Sequence, residues 1–357
     1  MTETECLAKM IAPGTRRPSK PYFDGVMQIH LTRACDQSCF GCTQGSNLAG
    51  KPSFMTVDQF EVACKSLEGY FGMVGIFGGN PAIHPAFEDI CAVFRKYIPY
   101  EKRGLWSNNP LGHGKVMRET FNPGVCNLNV HLNQKAYDEF KRDWPESHPF
   151  GLDRDSRHSP PWVAMKDLGI PKEKRWELIS NCDINKYWSA MIGVFRGQVR
   201  GWFCEIAGAQ SILHQDDPCK MCNGEGIIAR GETAPICNAC EGTGKDYPDT
   251  GIPIKDASAC YSYSVGDRKV RVDHWWELPM TGFADQVRKH CHECGVPLRG
   301  HGELAMSKNG KEQVSETHKD IFVTKRRDRK VELVTVPEQL GNPLGRMTDY
   351  LGNVNRQ

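Results

Sequence analysis

Apolar and polar residues follow two alternating periods between residues 26 and 144. "VMQIHLT" (Val26 to Thr32) reads as a strand. "MTVDQFEVACKSLEGY" follows as a helix, with Val57, Phe60, Ala63 and Leu67 on one face. Thr56 followed by Gln59 fits a capping box at its start. "MVGIFGGNP" is a short apolar strand ending in Gly78 and Gly79. "HPAFEDICAVFRKYI" is a second helix, with Phe87, Ile90 and Phe94 inward. "RGLWSNN" reads as a third strand. In "CNLNVHLN" the alternation of Leu128, Val130 and Leu132 predicts a fourth. "QKAYDEFKRDW" is again a helix. Strand and helix in alternation predict parallel βαβ units. Right-handed crossovers would close or nearly close such units into a barrel. The expected fold class is therefore α/β, a partial (β/α) barrel.

Beyond residue 145 the pattern loosens, and "SHPFGLDRDSRHSPPW" reads as a loop. "INKYWSAMIGVFRGQVRGWFCEIAGAQ" holds a strand pair or a further β-element. Residues 216–250 are rich in Gly, Cys and polar residues and too poor in large apolar ones to build a core. The basic run "KRRDRK" near the C-terminus is expected to be a solvated turn between strands. The division this implies is an N-terminal extension (1–23), a barrel (24–215), a small insertion (216–250) and a cysteine-bearing C-terminal region (251–357).

Among 357 residues, 39% are hydrophobic and 25% charged, which suits a globular protein. A net charge of +2 gives no argument for nucleic acid as a partner. No run approaches eighteen apolar residues, so no membrane span is expected. "MTETECLAKMIAPGTRRPSK" has no basic segment followed by an apolar one, so no signal peptide is read and a cytoplasmic location is expected. The sixteen cysteines change this plain picture. In a reducing compartment, clustered cysteines hold metal or do redox chemistry. Cys6, Cys64, Cys91 and Cys126 are scattered and read as buried thiols, Cys64 and Cys91 on the apolar faces of helices.

"RACDQSCFGCTQ" places Cys35, Cys39 and Cys42 in one loop directly after the first strand. Three thiolates can hold three irons of a 4Fe–4S cube and leave the fourth iron open to an outside ligand, as a three-ligand zinc site does. The C-x3-C-x2-C, "GGNP" (Gly78 to Pro81) after the second strand and "WSNN" at the end of the third together resemble the radical S-adenosylmethionine (radical SAM) superfamily over roughly residues 24 to 145. The resemblance implies a 4Fe–4S cluster on Cys35, Cys39 and Cys42. It also implies S-adenosylmethionine chelated to the open iron and cleaved by one electron to a 5′-deoxyadenosyl radical that abstracts hydrogen from a substrate. A flavodoxin- or ferredoxin-type protein would be the reductant. The implied S-adenosylmethionine contacts are Phe40, Gly41, Gly78, Gly79, Asn80, Pro81, Ser107 and Asn108. Two positions depart from the family pattern. Gly41 precedes the last cysteine where an aromatic residue is common, with Phe40 one position earlier, and Asn80 replaces the glutamate of the family's GGEP motif.

"CKMCNGEG" and "CNACEGTG" set Cys219, Cys222, Cys237 and Cys240 as two CxxC knuckles, the pattern of a closed tetrahedral zinc site. They resemble the zinc repeats of DnaJ-type chaperones, and an auxiliary iron–sulfur cluster is the alternative. "HCHECGVPLRG" adds a CxxC of Cys291 and Cys294, whose expected partners are Cys182 and Cys204, with Cys260 next. Zinc and 4Fe–4S both remain open there, and His290 or His292 could stand in as ligands. The expected function is a radical SAM enzyme on an unread substrate. The reading from a different class is a zinc-knuckle binding or chaperone-like module acting on protein or RNA, with a structural metal cluster.

Overall fold

All seven residues of β1 (Val26–Thr32) are buried, which puts this strand inside a sheet. Met27, Ile29 and Leu31 alternate with Gln28, His30 and Thr32, so one face is apolar and the other polar. The computed structural model describes residues 1–16, 25–37, 42–46, 53–152, 161–187, 190–215, 248–254, 262–265, 268–301, 303–307, 315–321 and 331–335. The other strands there are β2 (Met73–Gly78), β3 (Arg103–Leu105), β4 (Ala190–Phe195), β5 (Gln198–Trp202), β6 (Ile252–Pro253), β7 (Ser262–Val265), β8 (Arg268–Arg271), β9 (Glu303–Ser307) and β10 (Val331–Thr335). The helices are α1 (Glu3–Lys9), α2 (Val57–Lys65), α3 (Phe87–Tyr97), α4 (Gly114–Thr120), α5 (Gln134–Asp143), α6 (Lys172–Ser180), α7 (Asp183–Tyr187), α8 (Glu205–His214) and α9 (Ala284–His290). No described helix is long and apolar enough to cross a membrane.

The main sheet of the described residues has the order β3-β2-β1-β4-β5-β6 and is not closed. β1 pairs in parallel with both β2 and β4, and β2 in parallel with β3. β4, β5 and β6 run antiparallel. The order therefore reverses at β1, and the loops that leave β1, β2 and β3 gather at one end of the sheet, where open α/β sheets bind ligands. An open sheet with four parallel strands joined through helices is consistent with a partial barrel.

The fourth strand expected at 126–133 is reduced to two parallel bridges, Trp106 with Asn127 and Asn129 with Phe150. Leu128 and Val130 are buried as their alternation requires. His131 and Leu132 then take φ of 46° and 67°, which ends the extended run and leaves Leu132 55% exposed rather than inward. Helix α6 falls in the stretch read as irregular. The hairpin of β4 and β5 realises the expected strand pair. β9 and β10 pair antiparallel on either side of "KRRDRK", which itself lies outside the described residues.

On the apolar face, Met27, Ile29 and Leu31 join Phe60 and Ala63 of α2 and Ile90 and Phe94 of α3 in one core. Cys64 and Cys91 are buried in it as small hydrophobes. On the other face, the parallel register sets Gln28 beside Gly75, His30 beside Phe77 and Gly75 beside Gly104. The Trp106 ring lies across both glycines, where an added Cβ would stand 1.6 Å and 2.5 Å from its Cζ3. Gln28 donates to the carboxylate of Glu205, the first residue of α8. α8 is buried along its whole length. Residues beyond 250 share this architecture. β6 pairs with β5, and Gln286 accepts from Phe203 N (3.0 Å) and donates to Thr250 O (2.8 Å).

Candidate functional site

At the end of β1, the Thr32 hydroxyl accepts from Ala34 N (2.9 Å) and donates to Ser53 O (2.8 Å), turning the chain into the cysteine loop. The turn after β2 is fastened to it. Gly79 N donates to Thr32 O (2.8 Å) and Asn80 N to Ala34 O (2.7 Å). This contact accounts for both glycines. A Cβ on Gly78 would lie 2.2 Å from Thr32 O, and one on Gly79 2.0 Å from Ala34 O. Gly78 also takes φ of 143°, which suits glycine.

Asn80 is fully buried and caps the short 3-10 turn that begins at Pro81. Its Oδ1 accepts from Ser107 Oγ (2.9 Å), and its Nδ2 donates to Asn109 O (2.9 Å) and Asp36 Oδ1 (3.3 Å). Asn108 Nδ2 donates to Asp36 Oδ1 (2.9 Å), and Asn109 Nδ2 to Asp36 Oδ2 (2.7 Å). The ends of β1, β2 and β3 are thus tied through one carboxylate. Asn108 Oδ1 also lies 4.0 Å from Cys35 Sγ. The expected residues Gly78, Gly79, Asn80, Pro81, Ser107 and Asn108 are therefore brought together beside Cys35. Asp36 and Asn109 complete the set.

Two of the loop cysteines, Cys35 and Cys42, are described; Cys39, Phe40 and Gly41 lie outside the described residues. Gln37 N approaches Cys35 Sγ at 3.4 Å. The amides of Ser46, Gln44 and Gly45 face the Cys42 sulfur and favour its thiolate. Burial outweighs these donors, pushing the Cys35 thiol up to about 12 and raising that of Cys42. Both are protonated near neutrality until a metal displaces the proton. Trp162, fully buried, donates from Nε1 to Cys42 O (3.0 Å).

A second cysteine site is assembled from distant parts of the chain. Cys182 follows α6, Cys204 precedes α8, and Cys291 and Cys294 follow α9. All four line one cavity of about 370 Å³, open space at its mouth included, together with Met10 and His290. Burial raises the thiols of Cys204, Cys291 and Cys294, and charge on their cysteine neighbours raises them further. Val296 N approaches Cys294 Sγ at 3.4 Å. No three His, Cys, Asp or Glu side chains among the described residues converge closely enough for a single metal ion. Both ring nitrogens of His290 are engaged, with Gln210 (3.1 Å) on one side and Thr250 (2.9 Å) and Ser211 (3.2 Å) on the other. His292 packs edge-on against Trp176 at 4.3 Å. Cys219, Cys222, Cys237, Cys240 and Cys260 lie outside the described residues.

No protein-family model matches the sequence, and no curated protein matches it. Among solved structures the chain is similar to BtrN, determined in complex with AdoMet and 2-DOIA. The TM-score is 0.37 and the identity 14%, over 51% of this chain and 73% of that one. A likeness that loose bears no argument about function.

Three site features escape sequence reading. Asp36 sits inside the cysteine motif at a position the motif leaves free. Cys6, read as a scattered thiol, is buried on α1 with Cys182 among its electrostatic neighbours, and it in turn acts on Cys291. Glu205 is buried at the head of α8, and desolvation raises its carboxyl to about 7 against the opposing hydrogen bond from Gln28. A signal existed only for Glu205, as a lone acid in the apolar stretch "GWFCEIAGA".

Proposed function

We propose that the chain is a radical SAM enzyme with two iron–sulfur sites, one on Cys35, Cys39 and Cys42 and one on Cys182, Cys204, Cys291 and Cys294. The observation that carries the reading is the interlock at the sheet end. Asn80 and Asn108, far from Asp36 in sequence, both donate to its carboxylate beside Cys35. The donor set suits the cofactors. Thiols met by backbone amides fit a thiolate-ligated cluster, and a carboxylate ringed by carboxamides fits the polar end of S-adenosylmethionine. When bound, the cluster and S-adenosylmethionine supply one-electron reductive cleavage, and so a means of abstracting hydrogen from an unreactive carbon.

The chain's own residues orient these groups. Asp36 and Asn80 hold the three loops in register, and Trp162 fixes the carbonyl of Cys42. Four thiols lining one cavity suit a thiolate-ligated cluster at the second site. The CxxCxGxG segment would hold one zinc on Cys219, Cys222, Cys237 and Cys240. A flavodoxin- or ferredoxin-type protein would bring the electron, and the setting would be cytoplasmic.

Anaerobic reconstitution with iron and sulfide tests the reading. We expect about eight irons per chain, and 5′-deoxyadenosine on reduction with S-adenosylmethionine. The variant with Cys35, Cys39 and Cys42 all changed to Ala should hold about four irons and form none. A wild type that binds zinc but neither iron nor S-adenosylmethionine would instead favour a zinc-knuckle binding module.

A further inference from the structure

We infer that Asp36 is the anionic group that receives the α-ammonium of S-adenosylmethionine, taking over a charge that position 80 lacks. The inference rests on the radical SAM reading and adds a residue to it. Asn80 stands where the resembled motif has a glutamate. An amide there can accept a hydrogen bond but offers no counter-charge to a cation. The carboxylate belongs to Asp36, whose Oδ1 lies 3.3 Å from Asn80 Nδ2. A glutamate at position 80 would set two carboxylates against each other in the same space, at a cost in repulsion. Asn80 and Asp36 are therefore complementary choices, with one negative charge between them.

The geometry leaves Asp36 able to bind. A carboxylate has about four acceptor positions. Asn80 and Asn108 occupy Oδ1, and Asn109 occupies Oδ2 at 2.7 Å. One position on Oδ2 remains. A carboxylate only accepts, so all three carboxamides must present their Nδ2 to it and their orientation is fixed. Asp36 is exposed, whereas Asn80 and Asn108 beneath it are buried. The carboxylate is held from below and open above. It directly follows Cys35, which would keep an ammonium there close to an open iron of the first cluster. Among the described residues, no other carboxylate hydrogen-bonds to Asn80, Ser107 or Asn108.

The test compares two nucleosides on anaerobically reconstituted full-length enzyme by calorimetry. S-adenosylhomocysteine carries the ammonium, and methylthioadenosine lacks the amino-acid end. Asp36→Asn should weaken S-adenosylhomocysteine about 10- to 100-fold, the range for losing a hydrogen bond between charged groups. Methylthioadenosine should change less than about threefold, and iron content should not fall. Asn109→Ala removes one support and keeps the charge, so the preference for S-adenosylhomocysteine should survive it. Equal weakening of both nucleosides by Asp36→Asn, or no weakening of either, overturns the assignment. If Asp36→Asn loses iron, Asp36→Asn combined with Asn80→Asp decides. Iron and the preference should return together, and iron returning without the preference overturns the assignment. A wild type that binds neither nucleoside overturns the radical SAM reading itself, and a wild type that binds both equally overturns only the role of Asp36.

Discussion

At the scale of single residues, the paired glycines show how one motif serves two purposes. Their sequence position suggested room for a cofactor. Their Cβ directions point instead at Thr32 O and Ala34 O, so the space they leave is filled by the cysteine loop itself. Adding a side chain must part the two loops before it can touch any ligand. We expect Gly79→Ala to destabilise the chain by about 1–3 kcal/mol, the range for overpacking. Hydrogen exchange of residues 32–36 should rise in the same variant. Equilibrium unfolding with exchange mass spectrometry checks both. A Gly79→Ala protein of unchanged stability and exchange would show that the loops are not in contact there. Asp36 makes the complementary point, since a residue in a motif's free position joins three strand ends.

Among the elements, α1 matters beyond its seven residues. It forms through a complete capping box at Thr2 and Glu5, and it carries Cys6 inward, while Met10 just beyond it lines the four-cysteine cavity. Asn185 holds its exit at both backbone atoms, accepting from Ile11 N (2.8 Å) and donating to Ile11 O (2.9 Å). Arg288 pairs with Glu3 at 2.7 Å at the other end. An exposed ion pair contributes little, so the Asn185 clamp should dominate. Asn185→Ala removes two hydrogen bonds of about 1 kcal/mol each. We expect faster amide exchange in residues 6–11 and faster alkylation of Cys182 and Cys291 in metal-free protein. Unaltered alkylation rates would mean that α1 does not cover the cavity.

Across the whole molecule, residues 315–318 are docked by polar groups onto the 3-10 turn Met165–Leu168 and onto the end of α8. Asp167 accepts from Ser315 Oγ (2.6 Å), Thr317 N (2.7 Å) and Thr317 Oγ1 (2.9 Å). His318 is fully buried between His214 (3.3 Å) and Glu293 O (2.6 Å), edge-on to Trp162. Burial, and the His214 charge after it, lower its pKa from 6.5 to about 4, against the opposing pull of Glu293 and Asp167. The folded value lies below the unfolded one. Its contribution is therefore complete above pH 6.5 and is lost as pH falls through about 4. The full span is about 3 kcal/mol. His318→Gln keeps a donor for Glu293 O and removes the titration. Its unfolding free energy should vary less with pH between 6.5 and 4 than that of wild type. Parallel pH profiles for the two proteins would contradict this account of His318.

The sequence by itself determined the local structure and the chemistry on offer. Thr56 with Gln59 announced the start of α2 because a capping box needs only residues three apart, and both of its bonds form. The apolar runs of β1 and β2 and the faces of α2 and α3 were legible for the same reason, since their periods are set by backbone geometry. The cysteine, GGNP and WSNN motifs stood out through their resemblance to a known family, which residue type and spacing alone carry. Four things were decided only by the tertiary structure. Leu132 broke its alternation because the backbone turned to positive φ before the strand could continue. β4 came to lie against β1, a pairing across more than 150 residues that no local pattern encodes. Asp36 acquired its role only when Asn80, Asn108 and Asn109 arrived from two other strand ends. Cys6 likewise gained cysteine neighbours only when α1 docked. Local rules act over a few residues, whereas a site made of several loops exists only once the sheet has placed their ends together.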